Sequence, residues 1–102
     1  MEITVLCKVV DNFGDIGVVW RMCRQLNKKY PEVILNLIVD DLLSFKNIWH
    51  SVELEKDFQI VDGINVYNWN SYDFCYSTFG LENQNKLQVI LECFQCGRPD
   101  WM

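Results

Sequence analysis

Two carboxylates, Asp11 and Asp15, stand four residues apart in the segment Asp11-Asn12-Phe13-Gly14-Asp15-Ile16-Gly17, between the apolar run "ITVLCKVV" and "VVWRMCRQLNKKY". A glycine-containing turn between a buried strand and a helix is a common cradle for phosphate, because the first amides of the helix point at the anion. Three uses of the segment compete. A dinucleotide site is favoured by Asp40, which falls near the end of the next apolar run, where a ribose-binding acid is expected. Against it, only Gly14-x-x-Gly17 is present, and Asp15 would face the pyrophosphate. Two like charges at ~4 Å repel by about 4 kcal/mol at an effective dielectric of 20. A structural use makes Asp15 a helix cap contributing about 1 kcal/mol, with Asp11 holding a turn. The third use is the grip of a cation: a metal ion, or a guanidinium or ammonium group. A guanidinium suits paired carboxylates because its planar fork of donors satisfies both at once.

Such a pair needs elements to position it, and the hydropathy pattern supplies them. Ile3 to Val10 is almost continuously apolar and β-branched, the pattern of a strand buried on both faces. From Val18 the period changes: Val18, Val19, Met22, Cys23, Leu26 and Tyr30 recur at three- and four-residue spacings, and Pro31 marks the stop of an amphipathic helix. Arg21 and Arg24 belong to its solvated face. Val33 to Val39 reads as a second buried strand. Asp40 and Asp41 then lead into a short helix over Leu42 to Trp49, which they are placed to cap. Ile64 to Trp69 reads as a third strand and Leu87 to Phe94 as a fourth, while Asn68 to Lys86 has no readable period. Trp20, Trp49 and Trp69 are expected in the core or a cleft wall. The alternation implies an α/β fold, a parallel sheet with helices on its faces, with Asp11 to Gly17 at the carboxyl end of the first strand.

Composition removes other classes. The chain has 102 residues, half of them hydrophobic, and a net charge of −5, which argues against a general nucleic-acid or anionic-membrane binder. No signal peptide or membrane span is readable. Five cysteines, three of them (Cys7, Cys23 and Cys93) within apolar stretches, fit free thiols in a reducing cytosol. Cys93 and Cys96 form a C-x-x-C, but His50 is the single histidine and the pair closes a strand rather than opening a helix, so neither zinc nor redox chemistry is expected. After the last strand, "QCGRPDWM" reads as the opening of another connection, so the chain is expected to be the front portion of a larger protein.

The stretch "CKVVDNFGDIGVVWR" resembles the N-terminal signature of the EarP family, bacterial protein-arginine rhamnosyltransferases of elongation factor P. The likeness continues through "VDDL" at Val39 to Leu42 and "ILECFQCGRP" at Ile90 to Pro99, with a looser middle from Lys46 to Lys86. It implies a GT-B glycosyltransferase, two Rossmann-like domains facing across a cleft. Residues 1–102 would be part of the N-terminal, acceptor-side domain. The donor-binding C-terminal domain, with a further catalytic glutamate, would lie outside this chain. The implied reaction moves rhamnose, with inversion, from dTDP-β-L-rhamnose to an arginine of elongation factor P in the cytoplasm, with no cofactor. By resemblance Asp15 is the general base and Asp11 its partner in orienting the guanidinium. Asn12, Phe13, Gly14 and Gly17 line the site and shape the loop. A non-catalytic nucleotide-binding or protein-interaction module on the same α/β layer is the alternative.

Overall fold

The computed structural model describes residues 2–8, 12–71, 75 and 88–93; of residues 12–14, 88, 89, 92 and 93 it describes the backbone alone. In chain order the elements are β1 (Glu2–Cys7), α1 (Asn12–Lys29), β2 (Ile34–Val39), α2 (Leu42–Ile48), β3 (Phe58–Val61), β4 (Ile64–Asn68) and β5 (Gln88–Cys93). They form one five-stranded sheet in the order β3-β4-β2-β1-β5.

Four strands run parallel: β4 beside β2, β2 beside β1, and β1 beside β5. The sheet is not purely parallel as the sequence pattern suggests, because β3 is antiparallel to β4. The cause is local. Asp62 and Gly63 both hold positive φ, 51° and 78°, joining Val61 to Ile64 in a two-residue hairpin. Asp-Gly is a preferred pair for that turn, since it demands left-handed backbone at both positions. The dipeptide was the available signal for β3.

Right-handed crossovers decide what each face carries. The chain moves in one direction across the sheet from β1 to β2 to β4, so α1 and α2 lie on the same face. Val5, Cys7, Leu35, Leu37, Val39 and Val66 pack there against Ile16, Val19, Trp20 and Cys23 of α1 and Leu42 and Phe45 of α2. Trp20 is 4% exposed and meets Phe45 at 4.8 Å and Trp49 at 5.4 Å between ring centroids, so aromatic packing joins the two helices. The step from β4 to β5 runs the other way across the sheet. On that second face Leu6, Ile38 and Tyr67 form a separate cluster with Cys75. Helices on both faces were expected; among the described residues, both numbered helices cover one.

The second face also buries polar groups. Asn36 Nδ2 donates to Glu2 Oε2 at 3.0 Å and Thr4 Oγ1 at 3.3 Å, and Asn36 Oδ1 accepts from Asn65 Nδ2 at 3.0 Å. These bonds satisfy an amide that is 2% exposed and fix the register of three neighbouring strands.

Candidate functional site

The order of the parallel strands reverses at β1, where one crossover leads to β2 and another brings β5 to the opposite side. In open α/β sheets the crevice beyond the carboxyl ends of the strands at such a reversal is the usual ligand position. The end of β1 and the N-terminus of α1 meet at this point. The connection between them is only residues 8–11, of which exposed Lys8 is described and Asp11 lies outside the described residues.

The first turns differ from the loop expected from sequence. Helix α1 begins at Asn12, six residues before Val18, so Asn12, Phe13, Gly14, Asp15 and Gly17 all lie within it. The two glycines had suggested a bend, whereas Gly63 is the one glycine with positive φ among the described residues. Gly17 therefore does not shape a loop. A Cβ added there meets no described atom within 4 Å. A glycine inside a helix costs up to about 1 kcal/mol relative to alanine, and among the described residues no neighbouring side chain accounts for it.

Asp15 is half-buried in the first turn of α1. It is an interior residue of that turn and not the cap, and the unpaired amides of a helix start favour a negative charge there.

That edge is tied together by backbone and amide bonds. The Asp40 amide donates to Cys7 O at 3.3 Å, and the Trp69 amide to Val39 O at 2.9 Å, so the ends of β1, β2 and β4 form one continuous rim. Asn70 Nδ2 donates to Asp40 O at 2.9 Å, while its amide donates to Asn68 Oδ1 at 2.9 Å, closing an Asx turn after β4. Asp40 is half-buried on this rim. Asp41 is committed elsewhere: it caps α2, Oδ1 accepting from the Ser44 amide at 3.1 Å and Oδ2 from Ser44 Oγ at 2.8 Å. Its role was legible in the sequence; the contribution of Asn68 and Asn70 to the rim was not, because the run from Asn68 carries no period.

The cysteines at the described positions behave as buried thiols. Cys7, Cys23 and Cys75 are free and buried. Burial, with a lesser push from Asp57, raises the Cys75 thiol to about 12, and Cys75 Sγ lies 3.2 Å from Asn68 O. Such a thiol is a poor nucleophile. The Cys93 side chain and Cys96 lie outside the described residues.

A family profile described as Elongation-Factor P (EF-P) rhamnosyltransferase EarP matches residues 3–102. Three proteins named protein-arginine rhamnosyltransferase each align with 94% of this chain: those of Shewanella oneidensis at 35% identity, Pseudomonas aeruginosa at 38% and Neisseria meningitidis at 29%. The chain spans 22% of the length of the first and 23% of the other two.

Proposed function

The chain belongs to the EarP family, and on that premise we propose that it is the acceptor-side part of a protein-arginine rhamnosyltransferase in which Asp15 is the general base. The observation that carries this is the half-buried carboxylate in the first turn of α1, at the reversal of strand order. The order of the four parallel strands supports a Rossmann-like domain, and the family description supports a rhamnosyltransferase; a GT-B partner domain that grips the nucleotide sugar completes the proposal.

An arginine guanidinium is a poor nucleophile, being cationic with delocalised lone pairs. It must be held in line and lose a proton as its nitrogen attacks. Asp15 takes that proton while the nitrogen–C1 bond forms and the C1–oxygen bond to the diphosphate breaks. The dTDP leaving group departs with the electron pair, and the glycosylated guanidinium keeps its positive charge. Asp11 orients the guanidinium fork, a division between positioning and base catalysis. Asn12, Phe13, Gly14 and Gly17 line the approach. Inversion follows when base and leaving group lie on opposite faces of the sugar, which two domains across a cleft provide.

The acceptor is elongation factor P, the donor dTDP-β-L-rhamnose, the setting cytoplasmic, and no cofactor takes part. Among the described residues no helix is long and apolar enough to cross a membrane. Intact-mass measurement of elongation factor P, after incubation with the full-length enzyme and dTDP-β-L-rhamnose, tests the assignment. One added deoxyhexose on an arginine is expected. An unmodified acceptor alongside an enzyme that binds the nucleotide sugar would overturn it.

A further inference from the structure

Helix α1 carries four of the chain's nine lysines and arginines, Arg21, Arg24, Lys28 and Lys29, but one of its fourteen acidic residues, Asp15. In a chain of net charge −5, the positive charge is thus concentrated on one helix. Its outward face is not a featureless solvated surface. Arg21, Arg24, Gln25, Asn27 and Lys28 line a groove of about 460 Å³ with Asp62 of the β3–β4 turn.

One wall of the groove is held in place. Arg24 donates through Nε to Asp62 Oδ2 at 3.0 Å and lies 4.5 Å over the Trp49 ring, while Asn27 Nδ2 donates to Asp62 O at 3.3 Å. Among the described residues the one carboxylate in the lining is therefore already paired. Arg21 and Lys28 are exposed and have no ion-pair partner among the described residues. Val18, Arg21, Gln25 and Lys28 follow at spacings of three, four and three, one continuous stripe. Val18, at its head, is 61% exposed.

We propose that this groove seats an acidic segment of the protein acceptor, with Arg21 and Lys28 pairing its carboxylates. The inference rests on the reading of Asp15 given above. At 1.5 Å of rise per residue, Arg21 and Lys28 lie about 9 and about 20 Å along the helix from Asp15, and round it on the outer face. A matching acceptor presents its reactive arginine to the acidic end of α1 and its carboxylates to the basic outer face. Charge of alternating sign of this kind fixes the register of an encounter and speeds it. A polyanion such as nucleic acid is disfavoured, because the rest of the chain repels it.

The test is steady-state kinetics of the full-length enzyme carrying Arg21→Glu with Lys28→Glu. The KM for the acceptor protein is expected to rise about tenfold or more, with kcat and the donor KM within about twofold of wild type. The rise should shrink in high salt. Arg21→Gln with Lys28→Gln should give a smaller rise in the same direction, and Lys56→Glu, the same reversal far along the chain, none. An unchanged acceptor KM, or a raised donor KM instead, would overturn the proposal. Asp15→Asn separates the two claims: full turnover in that variant removes the base, whereas an unaltered acceptor KM in the charge reversals removes the docking groove alone.

Discussion

Gly17 tests whether the space beside α1 is used. Alanine is the better helix former by up to about 1 kcal/mol, and the described residues leave room for its methyl group. Gly17→Ala should therefore raise the midpoint of urea unfolding while lowering kcat/KM for the acceptor. A variant gaining stability with full activity would show that the space is idle. Cys75 makes a different prediction. Burial raises its thiol from 9.0 to about 12, so the folded chain holds this proton more tightly than the unfolded one. The resulting stability is fully present below about pH 9 and declines as pH rises toward 12. Urea unfolding from pH 8 to 10.5 should show a steeper loss for the wild type than for Cys75→Ala; equal slopes would contradict the assignment. Tyr67 is also raised, by burial first and then by Glu2 and Cys75, which is why the comparison with Cys75→Ala is needed.

Among the elements, what sequence reveals depends on how local the cause is. β1, β2, β4 and β5 were readable as apolar runs to within a few residues, since burial on both faces needs little else. α2 was equally plain, with Asp41 placed to cap it. The start of α1 was obscured by Gly14 and Gly17, which suggest a turn in isolation but lie in helical backbone. Asp15 was therefore expected in a loop and lies instead within the first turn of the helix. β3 was overlooked because Phe58–Val61 is short and half-exposed, although Asp62-Gly63 marks the hairpin. That turn can be tested directly. Gly63 holds φ of 78°, and a Cβ there would stand 3.3 Å from Asn27 Nδ2. Gly63→Ala should cost about 1–2 kcal/mol in urea unfolding through left-handed strain. A loss below a few tenths would mean that the turn relaxes to another form.

For the molecule as a whole, the strand order sets where the carboxylate proposed as the base stands. Crossovers place α1 and α2 on one face, β5 pairs on the other side of β1, and the N-terminus of α1 stands where the strand order reverses. None of this is visible in hydropathy alone, because pairing order is a long-range property. The chain also spans under a quarter of the relatives it matches. In the proposed GT-B arrangement the sugar donor is held by the partner domain. Residues 1–102 alone, given elongation factor P and dTDP-β-L-rhamnose, should therefore transfer no rhamnose by intact-mass measurement, whereas the full-length protein should. Transfer by residues 1–102 alone would place the donor site here.

The most direct check on the central claim is single-turnover transfer by the full-length enzyme carrying Asp15→Asn. The substitution keeps side-chain size and a hydrogen-bonding oxygen while removing the ability to take a proton. Base catalysis contributes about 10²- to 10⁴-fold. The rate should fall by at least the lower figure, with acceptor binding and urea stability close to wild type. A rate within threefold of wild type would contradict the assignment of Asp15 as the base.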